Sequence, residues 1–573
     1  MKSWPRISGV LLLCAASAFS QQTQPTQRLD ERLPANTQFY VYWHGSASMQ
    51  QTRGANSLLR LWDDPEFAPA RDALFASLIS ERKLSPSGAF TRELLVSLLE
   101  NQAIFGFTSF GAVKTAPKTG QPPEPDKMFF IYDATGKLPL VQAGVQLLPG
   151  ADGKLPSVER SSFSSTTIET VTSGKEVSHR AFVGNYFVYS PDRKTIEQVI
   201  KQLETSGTST LVQDANYQAA RRAIGEGTSL DFFFNLRSIA QSLQQSMASQ
   251  TPSAADAVAK SMKLDQLRAM AMGLRFDAPA TRIRMAVLGN MSQGGIFDLI
   301  GASAPDLATT SVVPAGTASY NAFRIDLAGF YRSFRASASS SLPAEQARFF
   351  DSLDAGAETA LGMPLMEALK LLSGEMATYS LESGVDLETN AFAFAIRKPE
   401  DVLHIARTMF DSSITDESRE GDATVLALAM PYRDSKTGMQ RKRFYYAALT
   451  QQMMIVAPRK AMLREAITRM ANGSGSTNSA SLAGDPRFLA VRTRLPYSLS
   501  GISYADLTRI KWENEFRAAE DMAGGSGSST ATSAKFKDWQ KLLSPAVLSR
   551  HLHISATGWW KQADGIYLEG FVE

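Results

Sequence analysis

The chain has 573 residues, 44% of them hydrophobic, with 59 basic and 56 acidic side chains and a formal net charge of +3. That length and apolar content suffice for two or more cores, and a charge so near balance leaves no electrostatic footprint for nucleic acid. Cys14 is the one cysteine, so no disulfide framework holds the chain and its cores must do so.

Residues 1–20 read as a signal peptide. Lys2 and Arg6 form a basic start, Val10 to Ala16 an apolar stretch, and Ala18-Phe19-Ser20 a small-x-small cleavage signal. Cleavage there predicts an exported protein, periplasmic or extracellular, that begins at Gln21. Lipid anchoring at Cys14 is the rival reading, but Leu11-Leu12-Leu13 precede it where small residues are needed. No later stretch reaches the ~18 apolar residues of a membrane helix; Leu365 to Leu372 is broken by Glu367 and Lys370. No transmembrane segment is expected after cleavage, and 21–32 is expected to be a linker.

From there the chain says the same thing twice. Leu33-Pro34-Ala35-Asn36-Thr37 and Tyr40 return as Val313-Pro314-Ala315-Gly316-Thr317 and Tyr320, an offset of 280. An amphipathic stretch, Leu58 to Ile79, is matched by Leu327 to Leu353. Leu94 to Phe107 reads as a helix ending in a strand, with Leu98-Leu99 opposite Leu371-Leu372. Met128 to Leu148 reads as a strand turning into a helix, matched by Asn390 to Phe410, where Phe392, Phe394 and Ile396 alternate before Pro399 opens the helix. Phe182 to Tyr189 reads as an aromatic strand, followed by Ser190-Pro191 and the stripe Ile196, Val199, Ile200, Leu203. Its partner runs from Met453 to Val456, then Ala457-Pro458 and Met462, Leu463, Ala466, Ile467 and Met470. Asp214-x-x-Tyr217 returns as Asp485-x-x-Phe488, and Asn235-Leu236 as Asp506-Leu507, both 271 later. Each copy closes on two alternating strands: Met270 to Phe276 with Ile283 to Val287, then Leu552 to Ala556 with Ile566 to Val572. Asp277 and Asp564 are taken as equivalent. Gly111 to Asp126, Ser249 to Ala255, Asn472 to Ser481 and Gly524 to Ala534 are turn-rich or low-complexity loops.

The pattern predicts two homologous α+β domains from internal duplication, 33–300 and 311–573, joined by a linker at 301–310. Each should be a mainly antiparallel sheet with helices packed on one face, because its strands alternate as half-exposed sheets do. On Leu33 to Thr37, Val313 to Thr317 and the strand–Pro–helix units at Pro191 and Pro458, the chain resembles uncharacterised bacterial envelope proteins grouped under a domain of unknown function. They share the signal sequence and the repeated α+β segments. No catalytic residue comes with that resemblance.

Chemistry is sparse. Of the five histidines only His551 and His553 are clustered; on a strand they would share a face and could begin a zinc site with Asp564 or Glu569. The competing reading is a polar strand face. Asp63, Asp64 and Glu66 precede a helix start, where capping outweighs glycoside chemistry. There is no Gly-x-Ser-x-Gly elbow and no phosphate-binding loop. Arg441-Lys442-Arg443 beside Phe444-Tyr445-Tyr446 could hold an anionic glycan or lipid head, against a solvated hairpin edge. Met270, Met272 and Met285 share one sheet and could line an adaptable pocket, against gap-filling core.

No cofactor is expected and no catalytic residue is assigned. The expected function is that of an exported non-enzymatic protein, a binding or structural component of the envelope whose partner is an envelope protein. The alternatives are a carrier of an apolar or amphipathic small molecule and an unrecognised hydrolase. Equivalent charged positions differ between the copies, as at Glu100 against Ser373, while apolar ones persist.

Overall fold

The computed structural model of the protein describes residues 28–73, 99–109, 127–147, 156–174, 176–205, 210–238, 263–341, 344–382, 390–433, 439–471, 481–513 and 542–573. The signal segment with Cys14, residues 74–79 and 94–98, and all or most of each predicted loop lie outside them. In chain order the first half supplies β1 (Phe39–Trp43), β2 (Ala103–Ser109), β3 (Lys127–Asp133), β4 (Ser157–Phe163), β5 (Thr166–Ser173), β6 (Glu176–Val183), β7 (Tyr186–Ser190), β8 (Leu230–Phe234), β9 (Leu267–Phe276) and β10 (Thr281–Gly289). The second supplies β11 (Ser319–Ile325), β12 (Gly374–Ser380), β13 (Asn390–Ala395), β14 (Ile414–Glu420), β15 (Ala423–Arg433), β16 (Gln440–Leu449), β17 (Met453–Ala457), β18 (Gly501–Asp506), β19 (Ile554–Gln562) and β20 (Gly565–Val572).

All the strands join one 20-stranded sheet. The first half pairs in the antiparallel order 4-5-6-7-3-2-1-8-9-10. The second repeats that order strand for strand, as 14-15-16-17-13-12-11-18-19-20. β10 against β20 closes the seam.

The register repeats as well. Phe39 pairs with Phe107 and Phe234; Ser319 pairs with Ser380 and Ala505, which reproduces the offsets of 280, 273 and 271 read from the sequence. One pairing needs correction. Arg275 faces Arg282, and Trp560 faces Tyr567, so the last hairpin is offset by 285 and the counterpart of Asp564 is Pro279, not Asp277. The turns are equal in length, since Asp277 to Ala280 correspond to Gln562 to Gly565 at that offset; the two aspartates occupy different positions in them. With that offset, Arg284 in β10 lies opposite its own counterpart, Glu569 in β20. Arg284 Nη2 donates to Glu569 Oε1 at 3.1 Å.

Helices cover both faces of the sheet, which corrects the expectation of one. Phe39-Tyr40-Val41-Tyr42-Trp43 is apolar or aromatic at every position, and all five residues are buried. Tyr40 and Tyr42 pack with Ile196, Val199 and Tyr217 from the helices Arg193–Glu204 and Ala215–Ile224. Phe39, Val41 and Trp43 pack on the other face against Leu59 and Trp62 of Ser57–Asp63 and Val547 and Leu548 of Pro545–His551. The second half repeats this, with Met462, Leu463 and Phe488 on one face and Ala368, Leu371, Val402 and Ile405 on the other. The alternation visible in later strands hid this double burial.

The repeated words have local physical roles. Leu33 to Thr37 and Val313 to Thr317 are turns leading into β1 and β11: Thr37 Oγ1 donates to the Pro34 carbonyl, and Thr317 Oγ1 to that of Pro314, each at 2.7 Å. The Asp of Asp-x-x-aromatic is an N-cap. Asp214 accepts from Asn216 and Tyr217 N–H, and Asp485 from Arg487 and Phe488 N–H, meeting donors that a helix start leaves unpaired. Asp214→Ala and Asp485→Ala should each cost about 1 kcal/mol in urea unfolding, with similar losses in the two halves.

Phe182 to Tyr189 proves to be two strands, β6 and β7, because Gly184-Asn185 turns the chain back, with Gly184 at φ +56°. Segments expected to link the halves carry structure. Leu29 and Asp30 are buried in a 3-10 turn. Gly301 N–H donates to the Arg324 carbonyl at 2.9 Å, and Ala304 bridges Leu499.

Candidate functional site

Asp231 is the one charged residue of β8, otherwise leucine and phenylalanine. It lies opposite Tyr42 of β1, which places it on the sheet face under the helix Ala215–Ile224. Three nitrogen groups converge on its Oδ2: His44 Nε2 at 2.8 Å, Arg28 Nη2 at 3.3 Å and Arg221 Nη1. Both arginines also serve Asp30. Arg28 donates from Nε at 3.0 Å and Nη2 at 2.8 Å, and Arg221 Nε lies 4.0 Å away. Asp30, Arg28, Asp231 and Arg221 thus close a ring of alternating charge, and the Tyr217 hydroxyl donates to Asp30 at 2.5 Å.

The two carboxylates are fully buried, while Arg28, Arg221 and His44 stay partly exposed. Burial pushes the Asp231 carboxyl up. The hydrogen bond from His44 and the charge of Arg221 outweigh that and hold it below the ordinary carboxylate range. Burial, reinforced by Asp30, pushes the Tyr217 phenol up. A depressed carboxylate contributes stability that is present above its unfolded value of about 3.9 and lost as pH falls through the lower folded value. Urea unfolding should therefore show a loss below about pH 4 that Asp231→Asn reduces.

Chemically, the ring orients His44. Its imidazole stacks on Tyr42 with centroids 3.8 Å apart, and with Nε2–H donated to Asp231, Nδ1 keeps its lone pair. That is half of a proton-transfer unit. Among the described residues no hydroxyl is bonded to His44 as a nucleophile would be.

The second half does not repeat this chemistry. The counterparts of Asp30, Arg28, His44 and Asp231 are Thr310, Ala308, Arg324 and Ile502. The buried acid there is Glu375, counterpart of Gln102, which accepts from Ala308 N–H at 3.0 Å, Thr309 N–H at 2.7 Å and Arg324 Nη2 at 3.2 Å. Sequence reading missed the ring because its members are scattered over 200 residues. The available signal was Asp231 itself, since a lone acid in an apolar strand needs a buried partner.

His551 and His553 do not form a site together. Pro545 opens a helix that ends at His551, and His553 is exposed in the connection to β19, so the shared strand face does not exist. His551 Nε2 bonds Asp64 Oδ2 at 2.7 Å instead, beside Arg550, which donates to Asp64 at 2.9 Å and Glu66 at 3.0 Å. The hydrogen bond from His551 holds the Asp64 carboxyl below its usual range. Asp64 also accepts from Glu66 N–H, the capping role expected of it. Among the described residues no group of three His, Cys, Asp or Glu side chains could hold a metal ion.

Met272 lies opposite Met285, and Met270 opposite Val287, all half-buried on one face. Met272 packs against the core formed by Phe39, Phe232 and Leu548.

The chain matches no protein-family model, no curated protein and no solved structure.

Proposed function

We propose that the protein is an exported, non-catalytic component of a bacterial envelope with a binding or structural role, built by duplication of one α+β unit into two homologous domains. The observation that carries this reading is the repeated ladder. Strand order and register recur through both halves, whereas the charged groups do not. Selection on shared backbone and packing, with charge left to diverge, fits a scaffold better than a repeated reaction centre. The ring around Asp231 fits the same view, because its acids are engaged by ring cations. A carrier of an apolar molecule draws less support, since Met272 is packed into the core.

Native mass spectrometry of the protein purified from its own envelope fraction tests the proposal. It predicts a protein partner and an otherwise unliganded chain. A stoichiometric lipid or small molecule released on unfolding would replace it with the carrier reading.

A further inference from the structure

The helix Ala344–Leu361 is anchored along one side. Phe350 is buried there, its ring centroid 5.8 Å from that of Phe334 and 6.5 Å from that of Tyr331. Asp351 and Asp354 turn toward the same neighbouring helix, Leu327–Ser341, where both pair with Arg335 and Asp354 accepts from the Tyr331 hydroxyl at 2.8 Å. Leu361 packs against the core formed by Leu371, Val402 and Ile405.

Beside that anchored side runs an exposed apolar stripe. Phe349, Leu353, Gly356 and Ala360 recur at intervals of four, three and four, which keeps them within about 60° of arc. All four are exposed, Phe349 to 61% and Leu353 to 40%. A Cβ atom at Gly356 would have nothing within 4 Å. Ser352 and Thr359 flank the stripe, and their hydroxyls donate to the Phe349 and Ala355 carbonyls of the same helix, each at 2.8 Å. Covering them would strand no donor. None of these six positions is charged, although Asp351, Asp354 and Glu358 share the helix. The stripe is also graded, with its large side chains first and its small ones last.

We propose that this stripe is the contact through which two copies of the chain associate, with the helices antiparallel about a twofold axis. The axis that sets Phe349 over the partner's Ala360 also sets Leu353 over the partner's Gly356. Each contact then occurs twice, as an isologous interface requires, and large meets small at every level. A parallel copy would stack Phe349 on itself and leave a gap at Gly356; a flat apolar partner would leave the same gap. The stripe spans about 17 Å, too little for the roughly 1,200 Å² of a stable interface, so the dimer is a weak, reversible one. The inference goes beyond the envelope reading and stands without it, because the purified chain alone tests it.

The experiment is sedimentation velocity of the full-length protein, with a Cys14→Ser change, from about 1 to 300 μM, where weak association is measurable. A monomer–dimer equilibrium is expected. Gly356→Arg should raise its dissociation constant on the order of tenfold or more, the loss that one central contact commonly carries. Arginine is the better helix former and the position is open, so thermal unfolding of this variant should not fall. Leu353→Gly and Gly356→Leu should each weaken the dimer, the first by a gap and the second by a clash. Leu353→Gly/Gly356→Leu should bring the affinity back toward the parent, because large and small have changed places across the axis. A chain that stays monomeric throughout, a dimer untouched by Gly356→Arg, or a double variant no better than the single ones would overturn the proposal.

Discussion

Arg221→Met is expected to lower stability by about 3–5 kcal/mol, the usual cost of removing one partner from a buried charge pair. The size follows from which charges are left behind. Asp30 and Asp231 are wholly inside, and without Arg221 they would share Arg28. Asp231→Asn should cost less, about 1–3 kcal/mol, because the groups it releases already reach water. Arg492, the counterpart of Arg221, supplies a control. Its guanidinium donates to the carbonyls of Pro496 at 2.7 Å and Pro305 at 3.0 Å and to no buried acid. Arg492→Met should cost clearly less, about 1–2 kcal/mol. Urea unfolding of the three variants checks the order; equal losses at 221 and 492 would mean that the ring is not what makes Arg221 matter.

Tyr217→Ala and Phe488→Ala should each cost about 3–5 kcal/mol, as for large aromatic deletions in a core. Each ring is the centre of the same three-ring cluster. Tyr217 stands 6.4 Å from Tyr40 and 5.4 Å from Phe233; Phe488 stands 5.9 Å from Tyr320 and 5.4 Å from Tyr504. All three members are equivalent by the sequence offsets. The central rings differ by one hydroxyl, which Tyr217 gives to Asp30 and for which Phe488 has no acid, Thr310 standing in that place; the flanking pair, Phe233 and Tyr504, differs the other way. Tyr217→Phe should therefore cost about 1.5–3 kcal/mol, as for a hydrogen bond to a charged group. Phe488→Tyr should gain nothing. A Tyr217→Phe variant as stable as the parent would remove the hydroxyl from the account of the ring.

These cases mark what sequence reading reaches. The turn at Leu33 to Thr37, the caps Asp214 and Asp485 and the aromatic three residues after each are local devices, and their spacing made the offsets of 280 and 271 legible. The strand–helix runs at Met128 and Asn390 were legible for the same reason. The hairpins of β4 to β6 and β14 to β16 were not, because Ser157 to Phe163 and Ile414 to Glu420 are largely exposed edge strands without apolar alternation. Helices on both faces escaped notice because β1 alone shows uninterrupted burial. The ring escaped because Arg28, His44, Arg221 and Asp231 meet only through pairing of β1 with β8 and the helix laid across them. His551 and His553 misled in the opposite way, since adjacency in sequence placed one at a helix end and the other beyond it.

The two halves share one sheet through β10 and β20, where Arg284 and Glu569 stand opposite each other. Cysteines at these two positions, in a Cys14→Ser background, test it directly. Residues directly opposite on antiparallel strands hold their Cβ atoms about 4.5–5.5 Å apart, and diagonal neighbours about 7–8 Å. Arg284→Cys/Glu569→Cys should therefore cross-link within one chain under mild oxidation, faster than Arg284→Cys/Tyr567→Cys. Failure to link, or links formed only between molecules, would contradict the seam between β10 and β20.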